Sequence, residues 1–85
     1  MSFRQTKKYD IIVKCLRSYG LKIRHRDMAQ SDGLYDPDTE IITVSKEVKG
    51  TITGCYVVLH ELGHHIQNRE RRFPRFFRGY TMYKS

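Results

Sequence analysis

No apolar run in this chain approaches the roughly 20 residues that a membrane-spanning helix needs, and the amino terminus, MSFRQTKKYD, lacks the apolar core of a signal peptide. The expectation is a soluble, cytoplasmic protein with no membrane contact. Cysteine is scarce: Cys15 and Cys55 stand far apart with no CxxC spacing. That pattern reads as two buried small hydrophobes in a reducing compartment rather than a disulfide or a cysteine-built metal site. Linkers, repeats and low-complexity segments are missing too, so residues 1–85 read as one domain, minimal or truncated. A chain this short buries only about 60–65% of its unfolded surface, which leaves a marginal core and makes a bound metal useful for stability as well as chemistry.

Acidic residues are few at both ends. Residues 1–26 carry eight Lys or Arg against one acid (+7), residues 27–68 two against seven (−5), and residues 69–85 six against one (+5). Basic ends around an acidic middle allow internal pairing, a solvated basic surface, or attraction of nucleic acid. In the last segment Arg69, Arg71, Arg72, Arg75 and Arg78 interleave with Phe73, Phe76, Phe77 and Tyr80. Such a mixture suits packing of the rings on a small domain, and it also suits single-stranded nucleic acid, with arginines on phosphates and bases stacked on rings.

Apolar periodicity orders the rest. Tyr9, Ile12, Val13, Leu16 and Tyr19 repeat at helical spacing, with Ser2 and Gln5 as a capping box and Gly20 as a stop, predicting a helix over about 4–19. An alternating run from Leu21 to about Asp27 reads as a strand. Leu34-Tyr35 and Glu40 to Val44 read as two strands joined by Asp36-Pro37-Asp38-Thr39, a type I turn composition. A last helix is expected over about 51–68, with Ile52, Cys55, Tyr56, Leu59, Leu62, Gly63 and Ile66 as its inward stripe. Gly63, in mid-helix, suggests close approach of a strand. The expected fold class is α+β: a three-stranded sheet with a hairpin, against which both helices bury a face.

On that last helix lies HELGH, residues 60–64. Helical positions four apart sit about 40° from each other and about 6 Å along the axis, so His60 and His64 can grip one cation. Zinc accepts imidazole nitrogen, and a catalytic zinc commonly takes three protein ligands. Glu61 then faces the attacking water as general base, a pattern of metal-assisted hydrolysis with Zn2+ as cofactor. By their periodicity the three motif residues share a face with Val57, away from the apolar stripe. Alone, the motif also arises by chance as two surface histidines on a helix.

The segment GLYDPDTEIITVSKEVKGTITGCYVVLHELGHHIQ resembles the core of minimal zinc peptidases of the gluzincin kind. Within them it is most similar to ImmA/IrrE-type peptidases, with their HELGH, and to bacterial neutral zinc metallopeptidases, with HExGHHxQ. The likeness covers about residues 9–68 and is specific at the motif helix. It implies a zincin-like fold, His60 and His64 as zinc ligands, Glu61 as base, and a protein or peptide substrate laid along an edge strand formed by Ile41, Ile42, Thr43 and Val44.

Those families take a third, acidic ligand well beyond the second histidine. The sole acid after His64 here is Glu70. A break near Gln67-Asn68 would fold Glu70 back to the metal, echoing metzincin spacing, although that pattern has glycine where Gln67 stands. Otherwise the ligand belongs to a longer protein, or strong metal binding has been lost. His25, Asp27 and Asp36 are weaker ligand candidates, His65 points about 100° away from His64, and Tyr80 or Tyr83 suits a phenol donor to an oxyanion. Two functions follow from the sequence: an intracellular zinc peptidase, or a non-catalytic zincin-fold protein with an incomplete metal site that binds nucleic acid or a protein partner through its basic ends.

Overall fold

A computed structural model describes residues 4–72. They form helix α1 (Lys7–Ser18), strands β1 (Lys22–Arg26), β2 (Gly33–Asp36) and β3 (Ile41–Ser45), and helix α2 (Ile52–Arg72). The fold is α+β, two helices and a three-stranded mixed sheet, in the element order the periodicity predicts.

Helix α1 starts later than expected. Thr6, in extended conformation at φ −150°, is its N-cap and accepts the Lys8 N–H at 3.2 Å. Gln5, expected in a capping box, instead bridges Thr51 in antiparallel fashion, and Ser2 lies outside the described residues. The helix stops as its sequence suggests: Gly20 and Leu21 N–H donate back to the carbonyls of Arg17 and Leu16, the two bonds of a Schellman ending.

The sheet order is β1-β3-β2. Strand β3 runs parallel to β1, with Ile23 opposite Ile42, and antiparallel to β2, with Tyr35 opposite Ile42. Ile41, Ile42, Thr43 and Val44 are therefore not an edge. Their run of consecutive bulky residues without alternation is what a central strand carries, and Ile42, Thr43 and Val44 are all buried. The edge beside α2 belongs to β2. Asp36 shapes the hairpin turn by accepting the Asp38 N–H on its carboxylate at 2.9 Å and the Glu40 N–H on its carbonyl at 2.7 Å.

Both helices cover one face of the sheet, where Ile23, Ile42 and Val44 meet Tyr9, Val13 and Val58 to form the core. The rotation of α2 about its axis differs from the expected one. Of the stripe read from the sequence, Cys55 is buried, but Tyr56, Leu59 and Ile66 are 67%, 47% and 50% exposed. Small residues face the sheet and α1 instead. A Cβ on Gly54 would stand 2.1 Å from the Val48 carbonyl oxygen and 2.9 Å from the Tyr9 ring, so only glycine lets the two helices and the preceding turn meet there. Gly63, expected to admit a strand, has open space beside it.

Nor does α2 break at Gln67-Asn68. Asn68 Nδ2 donates to the Tyr35 hydroxyl and to the Pro37 carbonyl, each at 3.1 Å, so the residue expected to end the helix ties it to the hairpin. Cys15 is exposed, against expectation, while Cys55 is buried. Among the described residues no helix is long and apolar enough to cross a membrane.

Candidate metal centre

Helix α2 carries His60 and His64 one turn apart, and their rings converge. The two Nε2 atoms lie 3.3 Å apart, with ring planes at 89° and centroids at 4.8 Å. Two imidazole nitrogens each about 2.05 Å from one tetrahedral ion stand about 3.3–3.4 Å from each other. The pair is thus already spaced for a shared zinc. Without a cation, one ring's N–H can point at the other's lone pair, and a metal would occupy that same gap. Both histidines are exposed, so an ion and its remaining ligands have access.

Glu61 lies differently from the face assigned to it by periodicity. Rather than turning away from the core with the histidines, it is 8% exposed and wedged between α2 and β2. Close approach at Gly33 makes this possible: a Cβ there would stand 2.4 Å from Val57 Cγ1 and 3.3 Å from Glu61 Oε2. Among the described residues no hydrogen bond or ion pair engages the Glu61 carboxylate. Small as its exposed area is, Glu61 lines the surface clefts beside the motif, so its carboxylate stays open to water.

Two clefts flank this motif. One, of about 410 Å³, runs between β2 and the later turns of α2 and is lined by Tyr35, Glu61, His64, Asn68 and Arg71. The other, about 460 Å³, is lined by Asp32, Gly33, Tyr56, His60 and Glu61. Glu61 and Gly33 line both, so the general-base candidate sits where the two grooves meet alongside the β2 edge.

The β2 edge is held against α2 by a relay that sequence reasoning did not find. Tyr35 OH lies 2.9 Å from His65 Nδ1, and Asn68 Nδ2 donates to the same hydroxyl. The hydroxyl accepts from Asn68 and shares a hydrogen bond with His65 Nδ1 whose direction follows the imidazole tautomer. His65 is thereby a brace between helix and strand, consistent with its pointing away from His64. The only forewarning was position: Tyr35 in a strand, and polar residues at 65 and 68, three apart on one helical face.

Glu70 does not join the histidines. Because α2 continues to Arg72, Glu70 is exposed and stands about 9 Å past His64 along the axis. The fold-back fails because Asn68 is already bonded across to Tyr35 and Pro37, and Arg69 pairs with Glu40 at 3.6 Å. Among the described residues no three His, Cys, Asp or Glu side chains group to hold a metal. Asp36 caps its turn, where the Asp38 backbone N–H above all holds its carboxyl below the usual range. His25 lies across the fold, bonded to Tyr9, and exposed Asp27 precedes β2. Tyr80, Tyr83 and the arginine-aromatic run from Arg72 onward fall outside the residues whose side chains are described.

No family model, curated protein or solved structure matches this chain.

Proposed function

We propose that this chain is a small zincin-type zinc peptidase acting on an intracellular protein or peptide, with His60 and His64 holding the metal and Glu61 as general base. The observation that carries the reading is the 3.3 Å gap between the two Nε2 atoms, next to a cleft-lining carboxylate that has no partner among the described residues. The histidines fit two positions of a four-coordinate ion; the others are left to water, to substrate or to a donor from outside residues 4–72. Bound there, zinc supplies Lewis-acid polarisation of a peptide carbonyl and a more acidic water.

The chain's own groups do the rest. Glu61 takes the proton of the attacking water and returns it to the departing amine, and its position at the meeting of two clefts gives it access to both faces of a bound peptide bond. An extended substrate adds to the free edge of β2, not to β3 as the sequence suggested, because β3 is paired on both sides. Tyr35, His65 and Asn68 keep that edge at a fixed distance from α2.

The second reading, a non-catalytic protein that binds nucleic acid or a partner through its basic ends, is favoured by one observation: no third donor stands near the histidine pair among the described residues. The two separate cleanly. Zinc-loaded protein incubated with a pool of unstructured peptides is expected to release new amino termini, and Glu61→Gln or a chelator to stop this. A zinc-retaining protein without hydrolysis, but with salt-sensitive affinity for DNA or RNA that Glu61→Gln leaves intact, would establish the second.

A further inference from the structure

A second concave site lies at the opposite edge of the sheet. It occupies about 400 Å³, within the usual range for small-ligand pockets, and is walled by Lys14 and Arg17 of α1, His25 of β1 and Lys49 of the turn before α2. One acid, Asp10, shares the lining with these cations. Arg17 is anchored by an Nη2–H bond to the Ile23 carbonyl at 2.7 Å, which holds its remaining N–H groups in place. The ammonium groups of Lys14 and Lys49 have no hydrogen-bond or ion-pair partner among the described residues.

We infer that this pocket binds a compact oxyanion of the phosphate class, held by Lys14, Arg17 and Lys49 against His25. Three cations around one concavity, with a single acid to offset them, make a site whose mutual repulsion a multiply charged anion relieves. Arg17 supplies a planar, fixed donor fork and the two lysines supply mobile point charges, a combination suited to a tetrahedral anion with oxygens in several directions.

The inner wall adds a readout. Tyr9 OH lies 2.7 Å from His25 Nε2. Burial pushes the Tyr9 phenol up to about 12, so it stays protonated, and the direction of its hydrogen bond to the imidazole follows the His25 tautomer. His25 is held below its ordinary range by burial first, then by Lys49 and Arg17, with Asp10 opposing. The groups around this pair are Asp10, Lys14 and Arg17 from α1, Lys49 from the turn, and Cys55 from α2, whose charge would act on Tyr9. An anion seated among the cations cancels their field at His25. Its affinity therefore rises as pH falls, and its binding raises the pKa of His25.

The test uses the full chain and NMR. Inorganic phosphate at neutral pH, and sulfate across pH 5–8 because it stays dianionic there, are titrated at ionic strength matched with chloride. Saturable shifts at Lys14, Arg17, His25 and Lys49 are expected, with an upward shift of the His25 titration and at least tenfold weaker binding in Lys14→Ala/Lys49→Ala. Since neither ammonium group has a partner among the described residues, that variant should melt like the parent. Shifts that fail to saturate, or that persist unchanged in the double variant, would overturn the site. A short single-stranded oligonucleotide competing with phosphate at these residues identifies a nucleic-acid backbone as the source; phosphate binding undisturbed by it identifies a small phosphorylated ligand.

Discussion

Gly33 and Glu61 share a gap that no side chain at position 33 can enter: a Cβ there would meet Glu61 Oε2 at 3.3 Å and Val57 Cγ1 at 2.4 Å. The edge strand can therefore run beside the motif helix only because residue 33 is glycine. Gly33→Ala should push β2 from α2, costing about 1–3 kcal/mol as an overpacked contact and lowering peptide cleavage beyond what lost stability explains. Equal melting temperatures in the two proteins would show that the contact is looser than described.

Glu61→Gln should uncouple stability from activity. The Glu61 carboxylate has no hydrogen-bond or ion-pair partner among the described residues and lines open clefts, so the amide is expected to change the stability of the metal-free protein by no more than about 0.5 kcal/mol. The same change removes the proton acceptor and should reduce hydrolysis by roughly 10²–10⁴-fold. Thermal melts and peptide cleavage read the two effects separately; a destabilised, fully active variant would reverse both assignments.

Tyr35→Phe deletes the hydroxyl that joins His65 to Asn68. The expected cost is about 1–3 kcal/mol, since two partly buried polar groups lose their shared partner. Faster hydrogen exchange confined to β2 and the later turns of α2 would locate the damage; unchanged exchange there would remove the relay from the account.

Stability should also depend on pH through His25. A histidine held below its usual 6.5 in the folded protein is matched by an unfolded state that takes up its proton first. The contribution is thus fully present above 6.5 and is lost as pH falls from there through the folded value. In chloride buffers, urea midpoints should drop more between pH 7.5 and 5.5 for the parent than for His25→Gln. Parallel drops would place the pH dependence elsewhere.

Much of the fold was legible because its signals are local. The Gly20 stop of α1, the Asp36-Pro37 turn and the helical run through HELGH each act over a few residues, whereas the expected Ser2/Gln5 cap gave way to Thr6 because Gln5 bridges Thr51. What escaped depends on contacts between distant segments. Nothing within β1 announces that it pairs with β3, which turned the expected edge into the middle of the sheet. The inward face of α2 was misjudged because large apolar residues marked one stripe, whereas tight packing selected the small Gly54 and Val58 on another. Glu70 was expected to fold back because Asn68 can end a helix; its bonds to Tyr35 and Pro37, over thirty residues earlier, decide otherwise. The motif residues themselves could be named from spacing alone, but the burial of Glu61 could not.

Glu70 gives a sharp contrast with the histidines. Exposed on a continuous helix, it should be dispensable for metal: Glu70→Ala is expected to leave zinc affinity within about twofold, the usual reach of an exposed charge. A large loss of affinity would mean that the helix bends in solution and brings the carboxylate to the metal.

The most direct measurement of the central claim is zinc content, taken on purified protein after equilibration with a small excess of zinc and removal of the unbound ion. The converging Nε2 atoms of His60 and His64 predict one zinc per chain, abolished in His60→Ala and in His64→Ala and retained in Glu61→Gln. Zinc absent from the parent, or equally present in the histidine variants, would contradict the metal centre and the peptidase reading with it.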